Sequence, residues 1–173
     1  RETDIYAVVE EMVARIFEEA AGIVVATPFP RISYDEAMTL YGSDKPDLRF
    51  GCPLHAIDEL VPGCGFSVFE DALKAGGTVR CLRAAGLGGW SRKQVDELEA
   101  LARRHGAHGL ARAKVTADGF DGGIAKFLQP EFAARLRERL GLQDGDLLLA
   151  VAGPWDKAVA ALGQVRLEVA RLA

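Results

Sequence analysis

The sequence predicts an α+β fold: a two-layer sandwich of helices on a sheet, with a helical flank at its N-terminal side. Three observations predict it. From residue 66 onward, short runs suited to strands alternate with stretches of helical period. Glycines and prolines punctuate nearly every change of period. Residues 1–62 differ, with helical stripes separated by proline-stiffened segments.

In the flank, Ile5, Val8, Val9, Met12, Ile16 and Phe17 fall on one helical stripe, so residues 4–20 read as an amphipathic helix with Glu10, Glu11, Glu18 and Glu19 on its wet face. Gly22 stops it. Pro28 and Pro30 hold Phe29 extended. Ser33 and Glu36 make a capping box for a short helix over 34–41, with Gly42 at the left-handed position after it. Pro53, Pro62, Gly63 and Gly65 then predict a hinge.

In the second region, Phe66, Val68 and Leu73 suggest one strand and Val79, Cys81 and Leu82 the next, with Gly76-Gly77 as the turn between them. Ser91 and Gln94 cap a helix to about 104, burying Val95, Leu98, Leu101 and Ala102. Residues 109–117 alternate as a strand, and 124–128 suggest its hairpin partner. Pro130 opens a helix to about 140. Leu147 to Val151 is a continuous apolar run and hence a buried strand. A last helix starts near Pro154 and buries Val159, Leu162, Val165, Leu167 and Val169. The expected order is ββ-α-ββ-α-β-α.

Composition limits the function. The 173 residues are 49% hydrophobic, enough for a folded core. No apolar run approaches the roughly 18 residues that a membrane helix needs. The first residues, Arg1-Glu2-Thr3-Asp4, hold no initiator Met and no secretion signal, so a processed terminus or a cut from a longer chain is expected. Net charge is −4, unevenly spread. Residues 1–62 hold 12 acidic and 5 basic side chains, and 63–173 hold 13 and 16. That shift predicts a domain boundary at 62/63 and a mildly basic second domain. Cys52, Cys64 and Cys81 lack metal-ligand spacing and read as reduced, buried or half-buried thiols. No metal site is expected.

Nucleophile-elbow, P-loop and metalloprotease patterns do not occur. Gly86 to Gly89 fails the dinucleotide pattern. His105 and His108 read as a helix-end partner and a loop histidine. The densest chemistry lies in Ser43, Asp44, Lys45, Asp47 and Arg49, gathered around Pro46. This loop either closes on itself through turn caps and ion pairs or presents charge to a ligand.

Pro28-Phe29-Pro30-Arg31, the capped Ser33–Ala37 segment, and Tyr41-Gly42-Ser43-Asp44-Lys45-Pro46-Asp47-Leu48-Arg49-Phe50-Gly51 resemble bacterial aspartyl-tRNA synthetases. Ala125–Leu128, Ala152-Gly153-Pro154 and Ala161–Arg166 extend the resemblance over essentially the whole chain. It implies a class II aspartate–tRNA ligase acting with ATP and Mg2+ on L-aspartate and tRNA(Asp), cytoplasmic and homodimeric. It also implies an insertion (GAD-like) domain over 63–173, of ββαββα (DCoH-like) type, flanked by catalytic-body residues 1–62. The family's Phe-Arg-Asp-Glu and Gly-Leu-Asp-Arg motifs and its anticodon barrel have no counterpart here, so no catalytic residue is carried over and the piece alone is expected to be inactive. The ionic loop is expected near the parent's active site. Arg80, Arg83, Arg92, Lys93, Arg103 and Arg104 are the candidates for a basic face towards tRNA. The competing readings are the same insertion in a tRNA-dependent amidotransferase and a free-standing binding or regulatory domain.

Overall fold

The computed structural model describes residues 1–172. It divides into two compact units, one of residues 1–33 and one beginning at Tyr34.

The first unit is helix α1 (Glu2–Ala21) and the extended segment after it. Gly22, at φ 66, ends the helix in the left-handed region, as expected. The Glu10 carboxylate accepts from the Phe29 amide and the Arg31 guanidinium, both at 3.1 Å, and Arg31 lies over the Tyr6 ring. The expected apolar stripe forms, but Ile5, Val8, Met12 and Ile16 remain more than half exposed.

The second unit is built on a five-stranded, wholly antiparallel sheet in the order β1-β2-β5-β3-β4. Its strands are β1 (Leu54–Ala56), β2 (Thr78–Ala84), β3 (Ala111–Thr116), β4 (Gly119–Asp121) and β5 (Leu147–Gly153). The apolar run at 147–151 occupies the centre, between β2 and β3, where both faces are covered. Helices α2 (Tyr34–Tyr41), α4 (Arg92–Arg104), α5 (Pro130–Leu140) and α6 (Trp155–Leu172) match the expected positions closely.

Alternation sorts the side chains of the central strands into two cores. Leu82, Ala84, Leu147, Leu149 and Val151 face α4 and α6. Val79, Cys81, Ala113, Val115, Leu148 and Ala150 share the other core with Phe69, Phe132 and Leu136. Helices therefore cover both faces of the sheet, and the architecture is α+β with three layers in place of the expected two.

Two elements differ from expectation. Residues 66–73 are not a strand: α3 (Ser67–Lys74) is a helix. Phe66, Phe69 and Leu73, spaced three and four apart, all pack on one core, and that helical period outweighs the short alternation of Phe66 and Val68. Residues 124–128 are not the hairpin partner of β3 either. Ala125–Phe127 is a 3-10 turn, and β4 pairs with β3 through Lys114↔Asp121 and Thr116↔Gly119. The order from residue 63 is thus α-β-α-β-β-α-β-α, and the ββαββα, DCoH-like order is not the one seen.

Residues 34–62 belong to this same unit, because β1 pairs with β2 through Leu54↔Leu82 and Ala56↔Arg80. The charge shift at 62/63 falls inside one packed body. Leu167, expected inward, is exposed, whereas Arg166 is 1% exposed.

Candidate functional site

The ionic loop is fastened to α6 by a single buried guanidinium. Arg166 lies on the inward stripe of α6 with Val159, Leu162 and Val169, all buried. Its Nε donates to the Cys52 carbonyl at 3.0 Å. Its Nη2 faces the carbonyls of Asp47, Phe50 and Gly51 at 2.8, 3.2 and 3.0 Å. The ring centroids of Tyr41 and Phe50 lie 4.7 and 4.2 Å from its central carbon. Burial pulls the Arg166 pKa below its usual value, and Tyr41 and Asp47 act in the opposite direction. A guanidinium nonetheless stays charged at any ordinary pH. Cys52, whose carbonyl it binds, sits at φ 63, a conformation that costs a non-glycine residue on the order of 1 kcal/mol or more.

Glycine makes the approach possible. Gly42, at φ 68, closes α2 against α6, and a Cβ there would sit 2.0 Å from the Val159 carbonyl oxygen. A Cβ on Gly163 would meet the Tyr41 carbonyl oxygen at 2.7 Å. The backbones of α2 and α6 thus touch where Arg166 begins to reach across.

Within the loop, Asp47 pairs with Arg49, whose Nη2 lies 2.6 Å from Oδ2 and whose amide donates to Oδ1 at 3.0 Å. The side-chain bonds from Arg49, with its amide second, hold the Asp47 carboxyl at a pKa of about 2. Ser43 Oγ accepts from the Lys45 amide at 3.2 Å. Asp44 and Lys45 make no ion pair among the described residues. The loop therefore closes on itself at Ser43, Asp47 and Arg49, while leaving the Arg49 side chain 89% exposed.

The six candidate cations do not form one face. Arg80 is buried, with its Nε lacking a hydrogen-bond partner. Arg83 points to the opposite face of β2 and binds Asp146 at 2.7 Å. Arg92, Lys93, Arg103 and Arg104 do share α4, where an eleven-residue step returns almost to the same azimuth. Two of them are paired on the helix, Arg92 with Asp96 and Arg103 with Glu99.

Asp146 is a second anchor that sequence reasoning missed. Its buried carboxylate accepts from Arg83 Nε at 2.7 Å, the Gly86 amide at 2.9 Å and the Gln143 amide at 2.8 Å. Burial alone raises its pKa, but the Gln143 and Gly86 amides and the Arg83 guanidinium outweigh that and leave it lowered. The Gly86–Gly89 turn is thereby tied down, and the Gly88 amide donates to the Gly145 carbonyl at 2.6 Å. Cys52, Cys64 and Cys81 are free thiols, and burial pushes the Cys81 pKa well up. No group of three or more His, Cys, Asp and Glu side chains comes together for a metal among the described residues. Among them, too, no helix is long and apolar enough to cross a membrane.

An α+β domain that grips a charged loop through its last helix is the class these features define. The chain belongs to the GAD domain family, whose model matches residues 69–162. Over 167 residues, 96% of its length, it is 46% identical to an aspartate–tRNA(Asp/Asn) ligase of Symbiobacterium thermophilum. It is 48% identical over 168 residues to the ligase of that name from Moorella thermoacetica, and 46% identical over 164 residues to an aspartate–tRNA ligase of Exiguobacterium sibiricum. The chain spans 28% of the length of each of these relatives.

Proposed function

We propose that this chain is the GAD-containing segment of an aspartate–tRNA ligase. The parent enzyme activates L-aspartate with ATP and then transfers it to tRNA(Asp). It works in the cytoplasm, as a class II homodimer. Residues 63–173 hold the insertion and 1–62 come from the catalytic body, whose strand Leu54–Ala56 completes the sheet of the insertion. The observation that carries this reading is the reach of the similarity: the family match covers 69–162, but identity to the ligases extends over 96–97% of the chain. A domain shared only with an amidotransferase or a free-standing binder gives no reason for that extension through the ionic loop.

Adenylate formation depends mainly on positioning and on stabilising phosphate charge. ATP and Mg2+ belong to the chemistry of the parent enzyme, and the described residues are not proposed to hold either. Their part is structural: Arg166, Gly42 and Gly163 hold the ionic loop in one shape.

Two measurements test the reading. The 173-residue chain alone is expected to show no aspartate-dependent pyrophosphate exchange. Substituted for the matching segment of the Moorella thermoacetica ligase, it is expected to give a chimera that charges tRNA with aspartate. A folded chimera that activates no aspartate sinks the proposal.

The exposed cations of α4 are the part of the basic candidate set proposed to face tRNA. In the chimera, joint Arg92→Glu and Lys93→Glu substitution is expected to weaken tRNA binding by about tenfold at low salt and to flatten its salt dependence. Unchanged affinity at low salt removes α4 from the interface.

A further inference from the structure

The contacts of Arg166 have an unusual composition. A buried guanidinium ordinarily meets a carboxylate, because bringing a charge out of water is costly without an opposite charge. Here the acceptors are all neutral: the carbonyls of Asp47, Phe50, Gly51 and Cys52. Tyr41 and Phe50 add two ring faces. Ring faces near the central carbon, with several carbonyl oxygens at the nitrogens, suit a guanidinium and do not suit an ammonium, which is a compact and strongly hydrated point charge.

All of these groups come from one short segment, and the ion comes from a helix more than a hundred residues away in sequence. We propose that residues 41–52 form a guanidinium receptor, occupied from α6 by Arg166, and that this occupancy gives the ionic loop its shape. The receptor includes Cys52 at φ 63, a backbone state that needs support from outside the residue itself. The Asp47–Arg49 pair rests on the same backbone, since the carbonyl of Asp47 is one of the acceptors.

The receptor is tested by emptying and refilling it in the 173-residue chain. Arg166→Ala is expected to speed amide hydrogen exchange across 43–52 by about tenfold or more while β2 and β5 stay protected. Ethylguanidinium at about 10 mM, too dilute to denature, is expected to slow that exchange again, and ethylammonium at the same concentration is not. Arg166→Lys keeps the charge but cannot span the carbonyls, so its loop is expected to exchange as fast as in the alanine variant. Should Arg166→Ala fail to fold, recovery of the far-ultraviolet circular dichroism with ethylguanidinium and not with ethylammonium carries the same information. Unchanged exchange at 43–52, an equal response to both cations, no response to ethylguanidinium, or full restoration by lysine overturns the receptor.

Discussion

Gly42→Ala is expected to destabilise the unit beginning at Tyr34 by about 3 kcal/mol or more, an effect set by steric overlap added to backbone strain. At φ 68 any L-residue is strained, and that alone costs about 1 kcal/mol. The added Cβ would also stand 2.0 Å from the Val159 carbonyl oxygen and 2.9 Å from Gly163 Cα, both fixed backbone atoms on α6. Either α2 must retreat or α6 must bend, and a retreat of α2 carries Tyr41 off the Arg166 guanidinium. Gly76→Ala is the matched control: φ is 77, but nothing lies within 4 Å of its Cβ. Chemical denaturation of both variants separates strain from overlap. Equal losses in the two would show that α2 and α6 do not meet as described.

Asp146→Asn is expected to cost about 3 kcal/mol, through loss of a paired, buried carboxylate. The amide oxygen can still accept from Arg83 and Gln143. Its NH2 must then face the Gly86 amide, donor against donor, and Arg83 loses its counter-charge. The wild-type pH dependence follows from the lowered pKa of Asp146. Its stabilisation is full above the unfolded carboxyl pKa of about 4 and drains away as pH falls through the lower folded value. Denaturant midpoints measured from pH 7 downward are expected to fall less steeply in the asparagine variant. Parallel acid limbs would mean that Asp146 titrates alike in the folded and unfolded chain.

Both anchors show what could be read from the residues and what could not. The helices with explicit punctuation were legible: Ser91 with Gln94, Pro130 at a first turn, Gly22 and Gly42 at helix ends. The central strand was legible because 147–151 leaves no polar face to put outward. The α3 helix is not legible in the sequence because its stripe has only Phe66, Phe69 and Leu73, too few turns to distinguish from alternation. Arg166 left a usable signal, a charge on the same stripe as Val159, Leu162 and Val169, yet its acceptors are backbone carbonyls that no side-chain pattern announces. Asp146 is bound by the Gln143 amide three residues away and by Gly86 and Arg83, 60 and 63 residues away, and those two distant partners are equally invisible before folding. The scatter of the six cations followed from strand alternation and burial, neither of which a count of basic residues contains.

The bond from Arg166 to Cys52 joins positions 114 residues apart in sequence. Bringing two such positions together in a flexible polymer has a length-dependent entropic cost of about 4 kcal/mol, from the logarithmic rule for ring closure. The sheet and its helices have already met that cost by folding. The two ends of that 114-residue stretch are therefore held within the reach of one arginine side chain.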